Sequence, residues 1–366
     1  MASSRREKVN LQKFDAKMRD STAVSELAWH SPMRAPFQLA GFAWFSKDRI
    51  YRRMPLKPAE ALPEAVDWLA NHTAGGQIRF RSNSRKLSVR VKLTGPADMV
   101  HMPATGQCGF DCYIGEPGKQ AFVSTTKYDV KLSEYHCQLF DLPDSAERHV
   151  TLNLPLYQGV KAVEVGLDAG ASIGSPAPYA LARPVVIYGT SITQGGCANR
   201  PGMAYTNILS RMLNVQIVNL GFSGSGRGEP EVARTIATIE SPACLVLDYE
   251  ANTGTLENLK ATLPEFIRIL RAAHAKAPIL VVSRIAFAAE RTLPEALTKR
   301  LANRDYQRDT VAGFRKRDPL VFFKDGGDLL GSGFDECTVD GTHPTDLGFQ
   351  RMAEGLAPVL KVILGL

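Results

Sequence analysis

No apolar run in this 366-residue chain approaches the length that crosses a bilayer, so no membrane-spanning helix is expected. The first twenty residues, MASSRREKVNLQKFDAKMRD, carry basic side chains with no apolar segment behind them, which is not the pattern of a secretory signal. The expectation is a cytoplasmic protein without a membrane partner. The six cysteines (Cys108, Cys112, Cys137, Cys197, Cys244, Cys337) contain no CxxC pair, and a disulfide framework is not expected in a chain this large. Cys137 and Cys244 lie in apolar, strand-like runs and read as small buried hydrophobes. His30, His72, His136, His149 and His274 lack metal-ligand spacing. No internal repeat and no low-complexity tract is present. An excess of one charge is also missing: 44 Lys and Arg against 37 Asp and Glu leave +7, spread along the chain except for a short run at 5–8. A balance this modest affects solubility more than partner choice, and no nucleic-acid partner is expected.

What is present divides into two halves. From 75 to 165 the pattern has period two: QIRFRSNS, KLSVRVKL, FDCYIG, QLFDL, HVTLNLP and AVEVGLD are short alternating runs between turn residues. This predicts an antiparallel β-sandwich with one wet face on each sheet. Residues 36–55, rich in aromatics, add a further strand or a packing strap. The stretch AGASIGSPAPYALARP then reads as a linker. Beyond it, apolar strands (PVVIYG, VQIVNLG, ACLVLDYE, PILVVSRI, LVFFKDG) alternate with helical segments at 202–213, 229–239, 256–275, 294–316 and 345–364. Continuous apolar strands that alternate with helices predict a five-stranded parallel sheet covered on both faces. The expected division is a β-sandwich over 22–178 and an α/β domain over 182–366.

Ligands of open α/β sheets bind beyond the carboxyl ends of the strands. There the sequence places Gly189-Thr190-Ser191, Gly221-Phe222-Ser223-Gly224, Asp248 to Asn252, and Asp340-Gly341-Thr342-His343. Acyl transfer needs a nucleophile, a base and donors for an oxyanion. Ser191 at a strand-to-helix turn can supply the first, and His343 the second. Asp340, three residues earlier, is placed to orient the imidazole. The backbone N–H groups of Ser191 and Gly221 and the amide of Asn252 are candidate oxyanion donors. Arg227, Glu250 and His101 are candidate substrate contacts. Plainer readings exist for each: Ser191 as a helix cap, Asp340-Gly341 as a turn, the glycines as a flexible loop whose spacing misses the dinucleotide fingerprint. A metal phosphodiesterase built from Asp248, Glu250, Asp340 and His343 would leave Ser191 without a task.

GTSITQG, NLGFSGSG, the Asn after the third strand and DGTHP followed by TDLGFQRMAE resemble, in order, the sequence blocks of the SGNH/GDSL hydrolases. The resemblance covers 183–366. It departs at the third block, DYEANT in place of Gly-x-Asn-Asp, and at the first, where Gly-Thr-Ser-Ile lacks the usual Asp. It implies a flavodoxin-like three-layer α/β/α domain, Ser191 as nucleophile, His343 as base with Asp340 as its partner, and an oxyanion hole of Ser191, Gly221 and Asn252. No metal and no organic cofactor is implied. The sandwich ahead of the hydrolase domain is similar to a subgroup that includes carbohydrate esterases and an acyltransferase. The expected substrate is thus a small-molecule or oligosaccharide ester carrying a small acyl group, with transfer to another alcohol and non-catalytic carbohydrate binding as the alternatives. A homo-oligomer is compatible with the sequence.

Overall fold

The structure, a computed structural model, describes residues 26–366 together with Asp15 and Lys17. The reading of the first twenty residues as a frayed segment or surface helix otherwise lies outside the described residues. The N-terminal half runs β1 (Leu27–His30), β2 (Gln38–Ala40), α1 (Phe45–Asp48), α2 (Glu64–Leu69), β3 (Gln77–Ser82), β4 (Lys86–Leu93), α3 (Ala104–Gln107), β5 (Asp111–Ile114), β6 (Ala121–Thr125), β7 (Glu134–Asp141), β8 (Arg148–Asn153), β9 (Val160–Asp168) and β10 (Ile173–Gly174). These strands form two antiparallel sheets, ordered β1-β9-β4-β7 and β10-β3-β8-β5-β6, with β2 on β3. Alternation drives the pairing: in β4, Val89, Val91 and Leu93 are buried while Arg90 and Lys92 face water. Across the interior Ile78, Phe80, Cys112 and Leu152 meet Leu87, Val89, Cys137, Val163 and Val165, which makes the two sheets a sandwich.

The C-terminal half runs β11 (Leu181–Gly189), α4 (Ser191–Gln194), α5 (Tyr205–Leu213), β12 (Val215–Gly221), α6 (Pro230–Ile236), β13 (Cys244–Asp248), α7 (Leu256–Ala273), β14 (Ile279–Val282), α8 (Pro294–Arg315), β15 (Val321–Lys324) and α9 (Asp346–Leu364). Its strands are all parallel, in the order β12-β11-β13-β14-β15. Successive residues of β11 enter different cores, which is why the strand reads as continuously apolar. Val185 and Ile187 pack with Ile208 of α5 and Leu356 of α9. Val186 and Tyr188 pack with Val232 of α6 and Phe266 of α7. The sheet is therefore the middle layer of three, and its strand order reverses beside β11.

Two stretches differ from the expected division. The Gly- and Pro-rich segment read as a linker is held along β3: Ile173 and Gly174 pair with Ser82 and Arg81. Arg79 donates to the Ala177 carbonyl at 2.9 Å, and its guanidinium lies 3.7 Å above the Tyr179 ring. The arginines of β3 satisfy carbonyls that a free linker would give to water. The strap between β2 and β3 also leaves the sandwich. Met54, Val66, Leu69 and Ala70 join the core of Tyr188, Leu220 and Phe222 in the parallel half. All six cysteines are buried. Among the described residues no helix is long and apolar enough to cross a membrane.

Candidate active site

Ser191 is the first residue of α4, and the cap of that helix is its neighbour: the Thr190 hydroxyl accepts from the Ile192 N–H at 3.2 Å. The Ser191 hydroxyl is thereby released from capping. As the first helical residue its own N–H has no acceptor within the helix. The turn is fixed from both halves of the chain. Tyr157 of the sandwich half donates to the Ser191 carbonyl at 3.1 Å. Asn219, a polar residue inside the apolar run VQIVNLG, donates to the Thr193 carbonyl at 2.7 Å and to the Thr206 hydroxyl at 3.0 Å.

His343 sits on a loop that DGTHP folds by itself. Asp340 Oδ1 accepts from the N–H groups of Thr342 at 3.0 Å and His343 at 2.7 Å, a carboxylate-capped turn. Gly341 takes φ +86 within it, where a side chain would be strained. Oδ2 of the same carboxylate lies 2.7 Å from His343 Nδ1, and His343 Nε2 lies 2.8 Å from Ser191 Oγ. An ionised carboxylate only accepts, so Nδ1 carries the proton and Nε2 is left to accept from the serine. Partial burial raises the Asp340 pKa, but the bonds from His343 and Thr342 outweigh it and hold the carboxyl below its usual range. Three side chains from two separate loops thus form a continuous chain of hydrogen bonds.

Of the donors expected around this point, Gly221 is placed differently. The Gly221 N–H is not free: it donates to Asn219 Oδ1 at 2.9 Å, so Gly221 is corrected as a donor. Its glycine serves close packing, since a Cβ there would stand 2.2 Å from the Gln194 nitrogen. Three residues on, the Gly224 N–H has no hydrogen-bond partner among the described residues, and a Cβ on Gly224 would meet nothing within 4 Å. Asn252 does reach this loop. Its amide donates to the Ser225 carbonyl in a short bond and approaches the Phe222 carbonyl at 3.5 Å, which leaves its second proton poorly used.

Of the three candidate substrate contacts, Glu250 is corrected outright. It is buried and accepts from the Arg284 N–H at 2.8 Å, Asn303 at 3.1 Å and Gln307 at 2.7 Å, which ties the end of β13 to α8. A carboxylate so fully bonded is structural, and Glu250 belongs to no metal-binding group with Asp340 and His343. Arg227 is exposed but folded back, its guanidinium donating to the Gly224 carbonyl at 2.8 and 3.1 Å. His101 alone stands over the site, its ring edge-on to His343 with centroids 5.8 Å apart.

Several supports are not singled out as site residues by the sequence, although Gln194 lies in GTSITQG and Asp248 in DYEANT. Gln194 accepts from the Ser223 N–H at 3.0 Å and lies 3.2 Å from His72 Nδ1. Arg53, entirely buried on the strap, donates to the carbonyls of Gly221, Asn219, His72 and Leu69. Asp248, at the end of β13, accepts from Tyr205 at 2.7 Å and from Thr193, two residues past Ser191, at 3.1 Å. Burial, above all, pushes its carboxyl up to about 7. A folded-state pKa above the unfolded one favours the protonated fold, so stability is lost as pH rises from about 4 to about 7 and stays lost above. Asp248→Asn is therefore expected to gain on the wild type between pH 4.5 and 8, by on the order of 2 kcal/mol. That is about half of what the full shift would give, because the carboxylate keeps some contact with water. Thermal midpoints at the two pH values check this, and an unchanged gap would refute it.

Residues 182–361 match the family model of GDSL-like lipases and acylhydrolases, and residues 27–173 match the model for the N-terminus of SGNH hydrolase-type esterases. Among solved structures, a protein named as a GDSL-like lipase from Bacteroides ovatus is 29% identical, with a TM-score of 0.85 over 93% of this chain and 98% of its own. A salicylyl-acyltransferase from a tetracycline biosynthetic pathway shares 22% identity at a TM-score of 0.74, again over 93% and 98%. A family two carbohydrate esterase from Cellvibrio japonicus shares 15% at 0.61 over the same shares, a likeness of fold. No curated protein sequence matches the chain significantly.

Proposed function

The chain belongs to the GDSL/SGNH hydrolase family and is a carboxylic ester hydrolase, and from that premise we propose that Ser191 is its nucleophile, His343 its general base and Asp340 the residue that orients His343. The observation that carries the reading is the hydrogen-bonded line from Ser191 Oγ through His343 to Asp340, at 2.8 and 2.7 Å. Ser191 Oγ attacks the ester carbonyl while its proton passes to His343 Nε2, and Asp340 stabilises the imidazolium that results. The negative oxygen of the tetrahedral intermediate is assigned to the N–H groups of Ser191 and Gly224, with the spare amide proton of Asn252 as third donor. Each such donor is worth about 3 kcal/mol. His343 then gives its proton to the leaving alcohol, and water, activated by the same histidine, releases the acid.

The proposed substrate is a small acyl ester, acetyl above all, on a carbohydrate. What supports it is the sandwich that precedes the hydrolase half, an arrangement shared with the carbohydrate esterase above, together with sequence blocks intact enough to argue against a purely binding role. Acyl transfer is the second reading. The same serine, histidine and aspartate would serve it, and the salicylyl-acyltransferase above shares the fold over 93% of this chain.

The test is hydrolysis of p-nitrophenyl acetate by wild type and Ser191→Ala, matched by circular dichroism. The variant should lose about four to six orders of magnitude in kcat, as when a triad serine is removed elsewhere. Retained turnover would remove Ser191 from the mechanism. Acetylated xylo-oligosaccharides and added acceptor alcohols then separate the substrate readings, since only a transferase makes the new ester.

A further inference from the structure

His101 comes from the sandwich half, in the loop between β4 and α3, yet its ring stands against His343 from the other half. Its Nε2 is 4.0 Å from Asp340 Oδ2, too far for a hydrogen bond, and it has no hydrogen bond to any described residue. Donor atoms of His101, Asp340 and His343 all lie within 4.8 Å of one another, the sole such trio of His, Cys, Asp or Glu among the described residues. All three reach solvent, with side chains 36%, 35% and 23% exposed. The cysteines, which would compete for a soft cation, are all buried.

We infer that these three residues form an inhibitory site for a divalent cation of the zinc type, assembled from both halves of the chain. Two imidazole nitrogens and one carboxylate oxygen, with a fourth position open to water, are a zinc donor set. Magnesium and calcium prefer oxygen ligands alone and are not expected there. Binding is an exchange. The His343 Nδ1–H bond breaks, its proton leaves to solvent, and the nitrogen lone pair binds the metal while Asp340 Oδ2 and His101 Nε2 close around it. Asp340 keeps its backbone bonds through Oδ1, so the carboxylate need not leave its turn. His343 loses the hydrogen bond that sets its tautomer, and a ring bound to a cation is a poor proton acceptor toward Ser191. The inhibition rests on the triad reading, whereas the binding does not.

The experiment is calorimetric titration of zinc chloride into metal-free, tag-free Ser191→Ala protein, with and without His101→Ala, and zinc inhibition of p-nitrophenyl acetate hydrolysis by the otherwise wild-type pair. One zinc per chain is expected, weakened at least about tenfold by loss of the His101 ligand. Half-inhibition should fall at the zinc concentration that half-fills the site, with the same tenfold shift in the His101→Ala protein and no effect of magnesium. His101→Gln, which keeps the shape of the loop, should behave as His101→Ala. Absent binding, or equal binding with and without His101, would overturn the site. Binding that leaves hydrolysis untouched would overturn its inhibitory role. An inactive wild type that still binds zinc through His101 would count against the triad reading and leave the metal site standing.

Discussion

Asp340→Asn is expected to lower kcat by about four orders of magnitude with KM little changed, as removing the triad carboxylate does where the same constellation occurs elsewhere. Asp340 has two tasks on two oxygens. Oδ1 closes the turn that carries His343, and Oδ2 accepts the Nδ1 proton. An asparagine can keep one oxygen acceptor and must turn its NH2 toward the other partner. If the amide nitrogen faces His343, Nδ1 must give up its proton and Nε2 then carries it, so the ring cannot accept from Ser191. If it faces the turn, two backbone N–H groups meet a donor and the loop opens. Either outcome removes the base without disturbing the distant cores, so near-ultraviolet dichroism should be unchanged. A loss below about tenfold would mean that His343 is held some other way.

The second large effect concerns stability. Arg53→Met should cost roughly 3–5 kcal/mol, because each buried acceptor left unpaired costs about 1–3 kcal/mol and release of the buried guanidinium offsets part of the sum. The carbonyls of Gly221, Asn219 and His72 would lose their donor in a region closed to water, while that of Leu69 keeps the His72 N–H. The guanidinium also stacks 4.7 Å above the Phe222 ring. Burial has already pulled its pKa down to about 9, and no carboxylate among the described residues bonds it. Arg53→Lys should rescue little, because a single ammonium cannot serve acceptors spread around a planar fork. Urea unfolding measures the loss. A variant within 1 kcal/mol of wild type would show that water replaces the guanidinium.

Much of this architecture was legible because two periods in one chain have different causes. Strands buried on both faces read as continuous apolar runs, and helices announced themselves by spacing: 256–275 was expected where α7 spans Leu256–Ala273, and 294–316 where α8 spans Pro294–Arg315. β1 and β6 were not foreseen, because their residues are short of buried positions that would make an alternation. At the site, residue type and loop position brought Ser191, Asp340 and His343 to one rim, and the structure puts them within hydrogen-bonding distance. Gly221 was misread for a physical reason. A glycine after a strand looks the same whether it frees an N–H or makes room for a helix, and only the position of Gln194 decides. Glu250 was misread likewise, since a carboxylate at a strand end does not show that Arg284, Asn303 and Gln307 converge on it.

The strap that lends Arg53 to the parallel half has a consequence for how the protein is made. Asn219 follows Arg53 by 166 residues, and Gly221 by 168. At the usual 5–20 residues per second of synthesis, the guanidinium waits roughly 10–30 seconds for those acceptors to leave the ribosome. Met54, Val66 and Leu69 wait with it, since their core is built by strands not yet translated. The residues of the sandwich core have all been synthesised by then, but the strap must stay open until its seat exists. Nascent chains halted before β12 should therefore expose this segment to proteases and holdase chaperones, and chains released beyond it should not.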